Sequence, residues 1–466
     1  MDQNRARQLL ESESILILKG LPRQSEFGFD GVMWLVDQFS GVKFIPSGLH
    51  MFVMSAAPTH SNHSTAPDAI SSGIGTRHAL LRWFNSSSSS NRDIVVDEWD
   101  NKQEHLQSEL ESRQRKRHRT VTNMTMNEHA TIVSQDYLKT LDKQLAPYSN
   151  QVRQKWQPLI SLVTNETVAR VVGYDDKGNA HVEATMPSTS DEQELNEAKQ
   201  KQTWGKPRQD DPIPTTHEVV DSDDDPPVEE VLKFVTIDNK RSWPQGAVGE
   251  DLTKWSKDKS WQLSQVVTTQ LGGDVTQLLA ELQLSFVLFV LVHNFSSLTT
   301  YKAIIALICH SPSFAQPPTL RHESPTMTRA LLKDSALPLL AMFLTVLNQQ
   351  LLFLDQSFFS EQMPSLDTFI LQQLDALHAN LEDAAPAWST FDQISYPPIK
   401  VWHQLIDNWN TLSTNVMTRF GWELKTVRGS RRQGYAGFDL KQQQDNGEVD
   451  LEDLEEGEDA PVIVEM

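Results

Sequence analysis

The stretch Phe39-Ser-Gly-Val-Lys-Phe-Ile-Pro-Ser-Gly-Leu-His50 decides how the first part of the chain is read. Val42 to Ile45 has the composition of a short strand, and Pro46 stops it because proline has no amide hydrogen to give to a ladder. Gly48 supplies a turn, and His50 to Ser55 starts a second strand. Working outward, Ile15-Leu-Ile-Leu18 ends at Gly20 and Pro22, and Phe27-Gly-Phe-Asp-Gly31 is rich in turn residues. Leu80-Leu-Arg-Trp-Phe84 and Ile94-Val-Val96 follow. Short strands punctuated by Gly and Pro predict a compact β-domain. Pro58 to Ser72 and the serine run Ser86 to Ser90 read as loop insertions. His50, after the turn, reads as a structural histidine held by hydrogen bonds.

Beyond Trp99-Asp100 the pattern becomes helical. Leu106 and Leu110 are four apart, Gln135 to Leu145 carries the stripe Leu138, Leu141 and Leu145, and Val152, Trp156, Leu159, Ile160 and Val163 line a further helix containing Pro158. Glu183 to Pro227 has no apolar period and is expected to be a disordered linker. After it, Leu278 to Val290, Tyr301 to Cys309, Leu337 to Phe353, Phe369 to Leu381 and Trp402 to Phe420 are amphipathic or wholly apolar helices. The expected fold is α+β and multidomain: an N-terminal β-rich domain with flanking helices over 1–182, an acidic linker over 183–229, an all-helical domain over 230–435 and an acidic tail over 436–466.

The formal charge of −21 is concentrated. Asp191 to Glu230 holds 13 acids and 4 bases, and Asp445 to Met466 holds 10 acids and no base. Broad nucleic-acid binding is disfavoured, because such a surface repels phosphates. The basic run Arg113 to Arg119 is the one local exception, readable as an exposed linker or a localisation or phosphate-contact patch. A single cysteine, Cys309, excludes an intrachain disulfide and fits a reducing compartment. The apolar run Leu284 to Val292 is too short to span a bilayer and reads as a buried helix, and the polar start is not that of a secretory signal.

Catalytic motifs are missing. There is no His-Glu-x-x-His, no Gly-rich phosphate loop ending in Lys-Ser/Thr and no Gly-x-Ser-x-Gly. His60 and His63 lack ligand partners, Cys309 sits on an apolar helix, and Asp223 to Asp225 lie in a segment too irregular to hold two metals. The expectation is a protein that is not an enzyme and takes no cofactor or metal.

The residues Gly20, Pro22, Phe27, Gly28, Asp30, Phe39, Gly41, Lys43, Ile45, Pro46, Gly48 and His50, with Trp99-Asp100, resemble the signature of the A-one cistron splicing factor family, the Aar-two proteins. Ser47 stands where that family usually has a second proline. In the second half, Asp258-Lys-Ser260 and the helix Leu278-Leu-Ala-Glu-Leu-Gln-Leu-Ser-Phe286, with Glu281, Leu282, Gln283 and Phe286, are similar to its motifs, as are Phe420-Gly-Trp422 and Pro461-Val-Ile-Val-Glu465.

The resemblance implies a β-rich domain followed by a VHS- or HEAT-like helix stack, and a non-enzymatic factor that assists U-five small nuclear ribonucleoprotein assembly. It implies binding to the large spliceosomal scaffold protein at its RNase H-like and Jab/MPN-like domains, exclusion of the helicase until the particle is nuclear, and residence in cytoplasm and nucleus. No membrane, little direct nucleic-acid binding and a monomeric free state are expected. Two further expectations concern the acidic segments. Val462, Ile463 and Val464 have strand-like composition and are expected to be a partner-binding tail, and Ser222, followed by three aspartates, is a candidate phosphosite. The competing reading is a peptide-binding adaptor in membrane traffic or ubiquitin pathways.

Overall fold

Leu49-His-Met-Phe-Val-Met-Ser55 is buried along its length, and its two sets of alternating side chains lie in different cores. Leu49, Met51 and Val53 belong to one, while Phe52 and Met54 belong to another. A strand buried on both faces must be apolar almost throughout, which this run is. The computed structural model describes residues 12–23, 25–36, 39–55, 76–85, 93–100, 105–108, 135–141, 143–175, 178–203, 231–238, 242–244, 246–317, 336–390 and 397–427.

The strands are β1 (Ser14–Lys19), β2 (Ser25–Phe29), β3 (Val32–Val36), β4 (Gly41–Ile45), β5 (Gly48–Ser55), β6 (His78–Phe84), β7 (Ile94–Asp100), β8 (His105–Ser108), β9 (Leu145–Pro147) and β10 (Asn179–Glu183). They form two five-stranded sheets, ordered β8-β7-β1-β4-β9 and β10-β6-β5-β2-β3. The inner faces of both sheets make a sandwich core of Leu16, Leu18, Phe27, Phe29, Val42, Ile45, Phe52, Leu80, Phe84 and Trp99. The outer face of the first sheet, through Ile15 and Ile17, packs on helix α1 (Gln135–Leu141).

Helices α2 (Asn150–Leu159), α3 (Asn165–Val171) and α4 (Thr189–Thr203) complete the first part. The helical region contains α5 (Glu250–Lys257), α6 (Ser260–Gln270), α7 (Val275–Val287), α8 (Phe295–Cys309), α9 (Ala336–Phe353), α10 (Pro364–Ser389) and α11 (Pro397–Phe420). A π-helical turn, Leu288–Val292, extends α7. The outer face of the second sheet, through Leu49, Met51, Val53, Leu81, Ala180 and Val182, shares one continuous core with α7 to α11. Both α7 with its extension and α9 are long and apolar enough to cross a membrane, but most of each is covered by neighbouring elements. The architecture is α+β, a β-rich region followed by an all-helical one.

Four expectations change. Residues 189–203 are a helix within the span read as a linker: Asp191 Oδ2 accepts from the Ser188 amide at 2.8 Å and its hydroxyl at 2.6 Å, and helix-forming Glu, Gln, Lys and Ala follow. The remainder of that span, 204–230, lies outside the described residues, as do Ser222, Arg113 to Arg119, and the tail with Val462, Ile463 and Val464. Leu106 lies in β8 instead of a helix, because residues 105–108 pair with β7. Leu145 leaves the Gln135 helix for β9, which runs parallel to β4. Finally, the domains 1–182 and 230–435 are not separately cored, since residues 1–430 cluster as a single unit and share the core beneath the second sheet.

Cys309 is fully buried in that core, and burial pushes its thiol far above the ordinary range. A thiol reagent is therefore expected to leave Cys309 unmodified in the native protein and to modify it at the rate of global unfolding. Rapid labelling in native buffer, measured by absorbance, would show that α8 opens locally.

Candidate functional site

The motif residues of the β-region converge on one buried cluster between the sheets. Asp30 and Gly31 form the two-residue turn joining β2 to β3, with φ of 48° and 84°. An Asp-Gly pair is suited to this turn because both positions need positive φ. The Asp30 carboxylate accepts from the Met51 amide at 2.9 Å and from the Tyr148 hydroxyl at 2.8 Å. His50 Nδ1 lies 2.6 Å from the same carboxylate, and its Nε2 lies 2.9 Å from the Pro46 carbonyl. That carbonyl can only accept, so Nε2 carries a hydrogen. Burial, reinforced by Asp30, pushes the Tyr148 hydroxyl far upward and keeps it a donor.

Phe29, Phe84 and Tyr148 pack around the His50 ring with centroids 5.3–5.7 Å apart. The cluster ties the β2–β3 turn, the β4–β5 turn and the segment after β9 together. Glu13 is drawn up by burial, opposed by Arg153 and His50 nearby. An Asp–His–Tyr set with every polar atom turned on its neighbours holds structure and offers no group to a substrate.

The neighbouring motif residues have geometric reasons. Gly41 has φ of 135°, and a Cβ there would stand 2.0 Å from the Leu16 carbonyl oxygen. Phe44, at φ 65°, is the bulge where β1 and β4 shift register beside Ile45. Gly28 leaves room for Met33 and Val53, and Phe39 packs on Phe27 at 4.8 Å. The Lys43 carbonyl accepts from the Tyr148 amide at 2.8 Å. Gly20 and Gly48 sit at turns with positive φ, Pro22 follows β1, and Trp99 is buried in the sandwich core. Asp100 closes β7 opposite His105.

The second motif lies on α7, where every residue from Leu278 to Val287 is buried. Two polar side chains at its centre reach across to the first part of the chain. Glu281 accepts from the Val235 amide at 2.8 Å and pairs with Arg170 of α3. Burial pushes its carboxyl upward, while Arg170 and the Val235 amide oppose that shift. Gln283 accepts from the Leu162 amide at 2.8 Å and donates to the Pro158 carbonyl at 3.1 Å and the Ser161 hydroxyl at 3.0 Å. Leu282 is fully buried, and Phe286 packs against Phe289, Tyr301 and Phe353.

More ties run between the same two parts through Asn294 and Arg77. Asn294 caps α8 through the Ser297 amide at 2.8 Å and donates its amide to the carbonyls of Glu183, Ala184 and Met186. Arg77 donates to the Leu291 carbonyl at 3.0 Å and pairs with Glu26 at 3.3 Å. Asp258 accepts from the Ser260 amide at 2.8 Å, and Lys259 donates to Ser242 at 2.8 Å, so the Asp-Lys-Ser motif fastens the start of α6. An open groove of about 570 Å³ beside β6 is lined by Arg82, Trp83, Asp93, Asn165 and Tyr174. Its arginine is tied to Asn179 at 2.5 Å and to Asp97 at 3.5 Å. Among the described residues no group of His, Cys, Asp and Glu could hold a metal ion.

Replacing Glu281 by Ala strands the Val235 amide and the Arg170 guanidinium. The expected loss is about 2–3 kcal/mol, at the lower end for a broken buried pair because Arg170 is partly solvated. Glu281→Gln, which keeps an acceptor, should lose less. Urea denaturation measures both, and a Glu281→Ala protein as stable as the parent would refute the clamp.

Comparison with known families and proteins gives a consistent result. Residues 12–173 match the family description "AAR2 N-terminal domain", and residues 234–425 match "AAR2 C-terminal repeat region". The protein AAR2 homolog of Caenorhabditis elegans is 26% identical over 380 residues, covering 80% of this chain and 88% of that protein. The AAR2 homologs of Homo sapiens and Pongo abelii are each 23% identical over 320 residues, covering 67% of this chain and 73% of theirs. The two matched regions meet where Glu281 pairs with Arg170 and Gln283 accepts from the Leu162 amide, and together they cover most of the chain, which belongs to the AAR2 family.

Proposed function

We propose that this protein is a non-enzymatic splicing factor that assists U-five small nuclear ribonucleoprotein assembly. In this reading it binds the large spliceosomal scaffold protein at its RNase H-like and Jab/MPN-like domains and holds off the helicase. The observation that carries the reading is family membership across both matched regions. The burial of the motif residues is consistent with it: Asp30, His50, Glu281 and Gln283 bond within the protein and hold it in one shape. A factor that acts by occupying a surface needs shape and not a reacting group. The acidic charge suits a protein that sits beside RNA without gripping it. Action in both cytoplasm and nucleus follows from the same reading.

The partner-binding role of Val462, Ile463 and Val464 and the modification of Ser222 belong to this proposal. Removing residues 461–466 is expected to weaken scaffold binding while leaving the melting temperature unchanged, because β-prone residues at the end of an acidic spacer are suited to joining a partner sheet. Ser222→Glu is expected to weaken binding relative to Ser222→Ala, by a margin that shrinks as salt rises.

Calorimetry with the full-length chain and the two scaffold domains together tests the core of the proposal. The expected outcome is saturable binding to the pair and displacement of the helicase in a competition assay. No binding to either domain, alone or combined, would overturn it.

A further inference from the structure

Arg77 stands just before β6, and its guanidinium reaches the end of the α7 extension. Its side chain is 13% exposed, so it depends on acceptors within the protein. Nη1 donates to the Leu291 carbonyl at 3.0 Å and lies 2.8 Å from Nε2 of His293, while Nη2 donates to Glu26 at 3.3 Å. A guanidinium keeps its charge at any ordinary pH and has only donors. Nε2 of His293 is therefore the acceptor, and the ring is neutral with its hydrogen on Nδ1.

His293 ends the π-helical turn in the left-handed region, with φ of 64°, and its amide donates to the Leu288 carbonyl. The residue is exposed, so a proton can reach it. Carbonyls at a helix end ordinarily attract a cation. Here Arg77 already holds that place through the Leu291 carbonyl, and a second cation would have to sit against it. The charged and titratable groups on the surrounding elements are few. They are Glu26 on β2, His78 on β6 with its partner Glu183 on β10 at 3.4 Å, and Asp191 of α4, which accepts from Ser296 near the start of α8. The α7 extension carries no charge, and the one charge on α8 is Lys302, which lies over the Phe369 ring. Burial and Arg77 hold the His293 imidazole below the ordinary histidine range, and Glu26 opposes that shift without cancelling it.

We propose that Arg77 and His293 form a proton-sensitive latch between the second sheet and the helical region, closed while the ring is neutral and opened when Nε2 takes a proton. The added hydrogen stands where Arg77 donates, and two cations are left side by side. Arg77 then keeps the Leu291 carbonyl and Glu26 but loses His293. In the unfolded chain His293 binds its proton near the ordinary value of about 6.5, and in the folded chain it does so only at lower pH. The stability that the latch supplies is therefore whole above that value and is lost as pH falls toward and through the folded one. The loosening is local. The neighbouring ties between the same regions, from Asn294 to the Glu183 and Met186 carbonyls and from Gln283 to the Leu162 amide, contain no titrating side chain. The inference rests on this interface and not on the identity of any partner.

The test uses the full-length chain. Nuclear magnetic resonance of histidine-labelled protein gives the titration midpoint of His293, assigned by the signal missing from His293→Gln, and that midpoint is expected below about 6.5. Hydrogen exchange, corrected for intrinsic rates, reads residues 288–294. Their protection is expected to fall about threefold or more between about pH 7.5 and about pH 5.5 in the parent. In His293→Gln, whose side-chain oxygen accepts from Arg77 at either pH, the fall should disappear. His293→Asn also lacks a titrating ring and suits the left-handed backbone, so it gives the same comparison if the glutamine variant folds poorly. His78→Gln should leave the acid response in place.

A midpoint at or above that of an ordinary histidine would overturn the latch. So would equal protection of the parent at the two pH values, or an undiminished acid response in both His293→Gln and His293→Asn. An acid response abolished by His78→Gln would assign it to the His78–Glu183 pair and overturn the proposal as well.

Discussion

Strand β5 has no solvent face, and the rest of the molecule is arranged around that constraint. Its odd-numbered residues face the helices and its even-numbered ones face the sandwich, so both halves of the chain are built against a single strand. A slip of one residue in its pairing would exchange the two sets and put His50 among the leucines of α7 and α9. Such a slip is blocked near the start of the strand, where His50 bonds to Asp30 and to the Pro46 carbonyl and the next residue, Met51, bonds through its amide to Asp30. One carboxylate thus fixes the register of β5 against the β2–β3 turn, and Tyr148 ties the same carboxylate to the first sheet's neighbourhood.

The helical region solves the complementary problem. Helix α7 is surrounded on all sides, and a helix so placed gains burial but has no place for polar groups unless each finds a partner. Glu281 finds its partners in Arg170 of α3 and the Val235 amide, and Gln283 finds its partners in the Leu162 amide and the Pro158 carbonyl of the first region. The Val235 and Leu162 amides lie in irregular segments and the Pro158 carbonyl in the last turn of α2, where carbonyls have no partner further along the helix, so the side chains of α7 complete them. Polar residues in the centre of an apolar helix therefore act as specific latches, and shape complementarity alone would not choose the angle at which the two regions meet.

Much of this was legible in the residues and some was not. The apolar runs predicted β1, β4, β5, β6 and the large helices, because burial dictates hydrophobic periodicity directly. Strand β3 was not read, although Asp30-Gly31 between two apolar runs is a hairpin signal that would have found it. Helix α4 was missed for a different reason. It has no apolar stripe, and only the reciprocal Ser188–Asp191 bonds and the Glu/Gln/Lys/Ala composition mark it. The short strands β8 and β9 exist because neighbours pair with them, a non-local cause that local spacing does not reveal. Asn294 looks unremarkable in the sequence, since what matters is the carbonyl groups it meets more than 100 positions away.

The shared core also changes how the protein can grip a partner. Two separately folded domains on a flexible linker would gain affinity through effective concentration, and the gain would depend on linker length. Here residues 1–430 form one unit, and the latches on α7, Asn294, Arg77 and Gly31 hold the β-region and the helices at one angle. A partner touching both regions meets a surface already at its final spacing. Binding then loses little freedom within this unit, and selectivity follows from whether the partner's two contact points match that spacing. A loss of one latch would loosen the spacing before it removed any contact residue, so recognition can fail from a change far from the interface.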